Sequence, residues 1–278
     1  MSHNVTVIVG AGGMGETIAR RIGAGTKLVV ADFNDELLSR LQTELAGDGF
    51  DVTTQKVDVS SRESVAALAD AAAALGPVTT VIHTAGLSPT QAPTPAILAV
   101  DLLGVAISLE EFARVIAPGG AGVVIASMAG TMAAGRFPAE METALALTPT
   151  DQLLALPFLA EGAVLNPGIA YSIAKRANQL RVQTASVAWG ERGARINSIS
   201  PGVISTPMGQ QELASESGAS MRAMVDASGT GRLGTPNDIA AAAAFLVGPD
   251  ATFITGTDLL VDGGVVAAVR VGKVTPGR

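Results

Sequence analysis

Val5-Thr6-Val7-Ile8-Val9 runs directly into Gly10-Ala11-Gly12-Gly13-Met14-Gly15. The first five residues are apolar or β-branched and end at a glycine, which reads as a buried strand. Residues 16–22 then read as a helix. A glycine-rich turn between strand and helix lets backbone N–H groups at the helix start approach a phosphate closely. Gly10, Gly12 and Gly15 fit G-x-G-x-x-G, and the pattern has the flanking strand and helix that give it meaning. Gly13 and Met14 complete the same candidate binding turn. A tight strand-to-helix turn without a ligand is the alternative.

The residues downstream repeat this cadence. Residues 27–31 form a second apolar run ending at Asp32, with Phe33 beside it. An acidic residue about 20 positions after the glycines is placed to accept hydrogen bonds from an adenosine ribose. It would also repel a 2′-phosphate, and no Arg or Lys adjoins it in sequence, so NAD is favoured over NADP. Residues 34–46 read as an amphipathic helix. A third strand, 51–57, ends in Asp58-Val59, and a capping-box-like Ser60-Ser61-Arg62-Glu63 opens the helix that follows. Strand 78–83 leads to Thr84-Ala85-Gly86. A loop spans 89–95, and 97–117 reads as one long helix interrupted only by Gly104. A turn at 118–122 precedes a strand, 122–126, ending at Ser127. Later come a helix over 170–189, a strand over 194–200 closed by Pro201-Gly202, and a polar stretch over 203–227 with room for short helices. A helix over 236–246, a last strand over 257–261 and a tail at 274–278 complete the chain. Strands alternating with helices imply βαβ units and a doubly wound parallel α/β sheet of about seven strands. The whole chain, 1–278, forms one domain. Ligands in such sheets bind at the carboxyl ends of strands, where Gly10, Asp32, Asp58, Thr84, Gly86 and Ser127 fall.

Composition narrows the classes. Hydrophobic residues make up 48% of 278 residues but aromatics only 3%, so the core is built from Ala, Val, Ile and Leu; that suits parallel strands under close-packed helices. The net charge of -7 without a basic stripe argues against nucleic acid. With no cysteine and only His3 and His83 as histidines, disulfides, thiolate metal sites and a histidine metal site are not expected. No signal-peptide pattern opens the chain and no run reaches the ~20 apolar residues of a membrane span. A soluble, cytoplasmic protein is expected.

Tyr171-Ser172-Ile173-Ala174-Lys175 holds the only tyrosine of the chain. On a helix, the spacing of four puts the phenol and the ammonium on one face. A nearby positive charge favours the phenolate and lowers the phenol pKa, which makes the group a candidate acid and base. The plain alternative is a surface lysine beside a half-buried tyrosine. Between Ser127 and Tyr171, residues 131–168 read as an insertion with two helical patterns, 139–147 and 150–159, punctuated by Pro138, Pro149, Pro157 and Pro167. Its Leu145, Leu147, Leu153, Leu154, Leu156, Phe158 and Leu159 are more apolar surface than a solvated loop needs. A lid over the substrate pocket and a subunit contact both fit.

Together these stretches, over residues 5–264, resemble the short-chain dehydrogenase/reductase family. The glycine turn is similar to T-G-x-x-x-G-x-G, one residue shorter and with Val9 in the Thr place. Asp58-Val59 resembles the pair that contacts adenine, and Thr84-Ala85-Gly86 resembles N-A-G with Thr for Asn. Ala126-Ser127-Met128-Ala129-Gly130 is similar to S-S-x-x-G, which implies that Ser127 is catalytic; Tyr171 and Lys175 match Y-x-x-x-K. Asn197-Ser198-Ile199-Ser200-Pro201-Gly202 and Thr206-Pro207-Met208 resemble the cofactor-binding N-x-I-x-P-G…T-P-M run, placing Pro201, Gly202, Val203 and Thr206 at the nicotinamide. Asp101 stands where the family has a catalytic Asn. The insertion, and Ala188-Trp189-Gly190-Glu191, are similar to those of bacterial hydroxysteroid dehydrogenase/carbonyl reductase members. The resemblance implies a Rossmann-like fold and NAD-dependent hydride transfer on a secondary alcohol or ketone; a lid formed by the insertion would add a preference for a bulky, apolar small molecule. Tyr171 would be the base, Lys175 would tune it and hold the nicotinamide ribose, and Ser127 would bind the substrate oxygen. It also implies a homo-oligomer built on the helices near Asp101 and Tyr171 and on C-terminal strands. A non-catalytic dinucleotide sensor and a sugar-nucleotide epimerase or dehydratase are the competing readings.

Overall fold

The computed structural model describes residues 4–160, 162–164 and 166–275. Among these, seven strands form one parallel sheet in the order β3-β2-β1-β4-β5-β6-β7. The strands are β1 (Val5–Val9), β2 (Lys27–Asp32), β3 (Asp51–Lys56), β4 (Val78–His83), β5 (Ile116–Ile125), β6 (Arg195–Pro201) and β7 (Asp258–Val261). The chain runs outward from β1 to β3, then returns and continues from β4 to β7. The reversal between β1 and β4 opens a crevice at their carboxyl ends, the place where open α/β sheets take ligands.

The helices form a layer on each face. Helices α1 (Gly13–Ile22) and α2 (Asp35–Gly47) cover one face, and α3 (Arg62–Leu75) the other. After β4 come a short α4 (Thr94–Ile97), a π-helical segment Leu98–Leu103 and α5 (Gly104–Val115). The later helices are α6 (Met128–Ala133), α7 (Ala139–Leu147), α8 (Pro167–Glu191), α9 (Pro207–Ala214), α10 (Gly218–Ala227), α11 (Pro236–Val247) and α12 (Val265–Arg270). Side chains alternate across each strand. Val5, Val7 and Val9 therefore join Val65, Val105, Phe112, Val182 and Trp189 under α3, α5 and α8. Ile8 faces the other way, with Ile18, Leu41 and Ile239 under α1, α2 and α11. The only tryptophan, fully buried, donates its Nε1–H to the Leu109 carbonyl at 3.0 Å, so the indole satisfies its polar atom inside the core.

Several expected boundaries move. The long helix expected over 97–117 starts earlier, at Thr94 with Pro95 in its first turn, where a missing N–H costs nothing. It widens to π geometry around Asp101 and ends at Val115, because Ile116 turns extended and pairs with Val78. Pro118 disfavours helix at the residue before it. The turn expected over 118–122 is consequently a bulge inside β5: Val78 faces Ile116 but Thr80 faces Ala121. Helix α8 also starts before the expected 170, at Pro167, capped by Asn166 whose Oδ1 accepts the Ile169 N–H. Of the expected tail 274–278, residues 276–278 lie outside the described residues, as does His3.

Candidate active site

The glycine turn is held by close backbone contacts. Gly10 has φ +93°, a conformation open to glycine, and a Cβ there would lie 2.3 Å from Ala85 N. A Cβ on Gly15 would lie 2.0 Å from the Gly10 carbonyl, so α1 can start only with glycine at that position. Thr84 Oγ1 donates to that same carbonyl at 2.6 Å. The hydroxyl thus ties β4 to the turn although it offers no amide. Gly12 precedes α1 with no side chain capping its free N–H groups, and Met14 packs beside Ile18. A cradle of small residues at a helix N-terminus fits a pyrophosphate.

Asp32 closes the cradle on one side. Its Oδ2 accepts the Ala11 N–H at 2.7 Å and its Oδ1 the Asn34 N–H at 2.9 Å. Phe33, 66% exposed, presents an apolar ring at the same edge. Strand pairing adds a cation that was not visible along the sequence: Lys56 sits opposite Asp32 in register. Its ammonium is engaged by Asp35 and lies 5.4 Å from the Phe33 ring centroid. Asp58 Oδ1 accepts from the Ser60 N–H and hydroxyl, and Val59 is buried against Gly104. On the far side, Pro201 pairs with Val261 at the end of β6, and Gly202 crosses β7 so closely that a Cβ would meet Asp262 at 2.7 Å. Val203 is buried with Met128, and Thr206 caps α9 through Gly209 N–H. A Cβ on Gly13 would lie 3.2 Å from the Thr206 methyl, so this run folds back onto the glycine turn. The glycine turn is thus in contact with Asp32, Thr84, Ala85 and Thr206.

Beside it converge Ser127, Tyr171, Lys175 and Asp101, from three segments separated in sequence, Tyr171 and Lys175 sharing α8. Ser127 caps α6, its Oγ accepting the Ala129 N–H at 3.1 Å. Lys175 Nζ lies 5.4 Å from the Tyr171 ring centroid, 3.4 Å from the Ile125 carbonyl to which it donates, and 3.2 Å from Asp101 Oδ2. That last contact is an ion pair without hydrogen-bond alignment, since Oδ2 has no hydrogen-bond partner; Oδ1 accepts the Leu87 N–H at 2.8 Å. A Cβ on Gly86 would touch both Asp101 Oδ2 and Lys175 Nζ at 3.2 Å. Glycine there lets the loop after β4 lie against the pair.

The electrostatics correct one expectation. Although Tyr171 as a residue is only part-buried, desolvation of its phenol outweighs Lys175 and the Ser127 hydrogen bond, and its pKa stands above the ordinary value. Asp101 and Glu212 push it the same way. Burial works to lower Lys175, but Asp101 and Tyr171 outweigh it and the ammonium is held above its usual value. Burial pushes the Asp101 carboxyl up against the pull of Lys175 and Leu87. His83, fully buried at the end of β4 beside Ser108 and Trp189, is pushed down to about 3 by burial and by the Lys175 charge. Both His83 nitrogens are without hydrogen-bond partners, so it is a neutral core group.

Leu87, Phe137, Phe158 and Tyr171 pack around the cluster of Ile97, Leu102 and Ile173. The insertion contributes to this cluster: Leu145, Leu153 and Leu159 are buried there, whereas Leu147 is 65% exposed. Arg176 grips Glu142 of α7 through Nε and Nη2 at 2.8 and 3.0 Å, and Arg181 Nη1 donates to the Leu145 and Thr148 carbonyls. These bonds clamp the insertion onto α8. Glu212 was not among the residues singled out in the sequence. The Thr206 cap and Pro207 do announce a helix there, but only the course of α9 brings its carboxylate toward Ser88 and Tyr171. Among the described residues no group of three or more His, Cys, Asp or Glu is placed to hold a metal ion. None of their helices is long and apolar enough to cross a membrane.

Known proteins are similar to this chain in sequence and in fold. Residues 4–139 match the family model described as short chain dehydrogenase, and residues 143–266 that described as enoyl-(acyl carrier protein) reductase. A short-chain dehydrogenase/reductase of Alternaria brassicicola, bsc3, is 44% identical over 271 residues, covering 96% of this chain and 97% of that one. A solved 7 alpha-hydroxysteroid dehydrogenase, complexed with NADH and 7-oxo glycochenodeoxycholic acid, superposes with a TM-score of 0.73 at 25% identity, covering 94% and 93% of the two chains. An actinorhodin polyketide ketoreductase with NADPH superposes with a TM-score of 0.73 at 23% identity, covering 95% and 97%, a likeness of fold. With the glycine crevice and the Ser127, Tyr171 and Lys175 cluster beside it, these matches make the chain a member of the short-chain dehydrogenase/reductase family of nicotinamide-dinucleotide oxidoreductases.

Proposed function

We propose that the chain is an NAD-preferring dehydrogenase acting on a secondary alcohol, or on the corresponding ketone in reverse. The observation that carries this reading is the meeting of Ser127, Tyr171, Lys175 and Asp101 beside the glycine crevice. When bound, the nicotinamide supplies the hydride chemistry. Gly10, Gly12, Gly13, Met14 and Gly15 would hold its pyrophosphate, Asp32 and Phe33 its adenosine with Asp58 and Val59, and Thr84, Ala85, Gly86, Pro201, Gly202, Val203 and Thr206 its nicotinamide end. Asp32, fixed by two backbone N–H donors, keeps lone pairs for ribose hydroxyls and sets a negative charge where NADP carries its 2′-phosphate. Lys56 is held by Asp35 and does not offset that charge.

In the alcohol direction Tyr171 takes the hydroxyl proton. Its raised pKa keeps the resting phenol protonated, ready to donate to a ketone oxygen in the reverse direction; for alcohol oxidation the phenol first releases its proton to solvent, and the Lys175 ammonium stabilises the phenolate that then takes the hydroxyl proton and returns to phenol. Asp101 keeps that ammonium charged and in place. Ser127 donates a hydrogen bond to the substrate oxygen as negative charge develops there. Leu87, Phe137 and Phe158 give the cleft an apolar wall beside Tyr171, which suits a bulky, largely apolar substrate. The insertion over 131–168 builds part of that wall. It also packs on α8 and the π-helical segment, the surface through which oligomeric relatives were expected to pair. Self-association is therefore assigned to the other end of the sheet. There β7 is an edge strand, and Phe253 is fully exposed and Phe245 45% exposed.

The test is a panel of steroids, 3-oxoacyl thioesters, cyclic alcohols and sugars incubated with NAD(H) or NADP(H). Oxidation of a bulky alcohol with NAD is expected. Tight dinucleotide binding with no redox change on any member would favour a sensor, and isomerisation without net redox change an epimerase.

A further inference from the structure

Ser127 and Tyr171 belong to different helices, and one buried side chain ties those helices together. On α8, Lys175 and Gln179 follow Tyr171 at intervals of four, along one stripe of the helix. On α6, Thr131 lies four after Ser127. Gly130 brings the two helices into contact: a Cβ there would lie 2.7 Å from the Lys175 carbonyl carbon and oxygen. One turn further along α8, Gln179 Nε2 donates to Thr131 Oγ1 at 2.9 Å. The same nitrogen reaches Ser200 Oγ at 2.8 Å, in the residue before Pro201-Gly202, and Asp258 Oδ2 on β7 at 3.1 Å.

The junction is buried and its amide is fixed in direction. Gln179 is 2% exposed, and Ser198 and Ser200 are fully buried. Asp258 Oδ1 accepts the Ser198 and Ser200 hydroxyls at 2.6 and 2.9 Å, and Oδ2 accepts from Gln179. Gln179 Oε1 accepts from Arg176 Nη1 at 3.1 Å, and Arg176 is itself held by Glu142. Turned over, the amide would set its oxygen against a carboxylate and its NH2 against a guanidinium. A helix of six residues is too short to hold its own shape in water. The course of α6, with Ser127 at its N-cap, therefore depends on what the helix touches. Gly130 gives it a contact and Gln179 a directional bond. A network that only fastened α8 to the sheet would need Asp258 and the two serines; the Thr131 arm goes instead to the helix that Ser127 starts.

We propose that Gln179, anchored by Asp258, is a positioning residue for the reaction: through Thr131 it holds α6 so that Ser127 stands in register with Tyr171. The proposal rests on the dehydrogenase reading for what Ser127 and Tyr171 do. Misplacing a reacting or substrate-binding group by about 1 Å costs on the order of 10²-fold in rate, so a small tilt of α6 is enough to be read in kcat.

The test is a double-mutant cycle on kcat, with NAD and the best alcohol found. Gln179→Met keeps the length of the side chain and removes its donors. It is expected to lower kcat by about 10- to 100-fold with NAD affinity within about twofold of wild type. In a Ser127→Ala background the loss should shrink at least about fivefold, because the group being positioned is gone. A loss that shrinks less places the effect elsewhere and overturns the proposal. Where Gln179→Met folds poorly, Thr131→Val removes only the α6 arm and leaves the bonds to Asp258 in place. It should lower kcat more than about threefold, and a smaller loss also overturns the proposal. A second readout needs no turnover. Tyr171 is the only tyrosine, so fluorotyrosine labelling gives a single fluorine resonance. Thr131→Val should shift that line. A shifted line with no alcohol oxidised overturns only the dehydrogenase reading, and an unshifted line refutes the positioning of α6 against Tyr171 whatever the turnover.

Discussion

Asp101 and Lys175 are both fully desolvated as side chains, 0% and 6% exposed, with 3.2 Å between Oδ2 and Nζ. At an effective dielectric of about 20, unit charges at 3.2 Å attract by roughly 5 kcal/mol. Burying each ion costs several kcal/mol, so the net worth of the pair is small, but removing one partner strands the other. Asp101→Ala leaves the Lys175 charge unpaired and the Leu87 N–H without its acceptor. The expected loss of folding stability is about 3–5 kcal/mol, on the order of 10 °C in Tm for a domain of this size. Asp101→Asn keeps the volume and the acceptor for Leu87 and also removes a buried carboxylate. Because it too unpairs Lys175 it should still destabilise, but by about 1–3 kcal/mol less than Ala, the cost of leaving the Leu87 N–H without its acceptor. The Lys175 pKa should fall in both, because Asp101 is the largest influence holding it up. Urea denaturation of the three proteins, with calorimetric Tm, measures this. If Ala is as stable as wild type, the pair holds nothing together. If Asn is as damaging as Ala, the charge rather than the Leu87 acceptor and the filled volume carries the effect, and this division of the energy is wrong.

Three other outcomes are expected. His83 has a folded-state pKa of about 3 against roughly 6.5 unfolded. Its contribution to stability is complete above pH ~6.5 and is lost as pH falls toward the folded value; His83→Leu should flatten the acid limb of the stability curve, and an unchanged limb would show that His83 is not the group titrating. Asp32→Ala should narrow the preference for NAD over NADP by at least about tenfold, read by titrating both cofactors, through loss of charge repulsion and ribose hydrogen bonds; an unaltered ratio would place cofactor choice elsewhere. Phe253→Asp should convert an oligomer to a smaller species in light scattering, whereas Leu147→Asp on the insertion should not; the reverse result would move the subunit contact to the insertion.

The sheet was legible because most of its strands are short apolar runs ending at glycine, Asp, Thr or Ser. The segment around Asp101 was not. Its residues read as ordinary helix, and both the π widening around Asp101 and the contacts of its carboxylate with Leu87 and Lys175 depend on partners outside the segment that spacing does not reveal. The bulge in β5 was hidden for a similar reason: Pro118, Gly119 and Gly120 look like a connecting turn, and only pairing with Val78 makes Ile116 part of the strand. Gly10, Asp32, Asp58, Thr84, Gly86 and Ser127 could be named as strand-end candidates from the cadence of strands, whereas Val203 and Thr206 came only from the family resemblance. Lys56, Ser88 and Glu212 could not, since strand register and the path of α9 bring them in. The Tyr171 shift was read with the wrong sign because spacing reveals the lysine but not the desolvation that outweighs it.

The central claim is that the Tyr171 phenol carries the proton in a redox step. The most direct measurement is the kcat of Tyr171→Phe for the best alcohol found with NAD, with NAD affinity measured on the same protein. The ring and its packing are retained, so the cofactor should bind with near wild-type affinity while kcat falls by about 10² or more, the usual size of lost acid–base catalysis. A Tyr171→Phe enzyme that turns over at close to the wild-type rate would contradict the account.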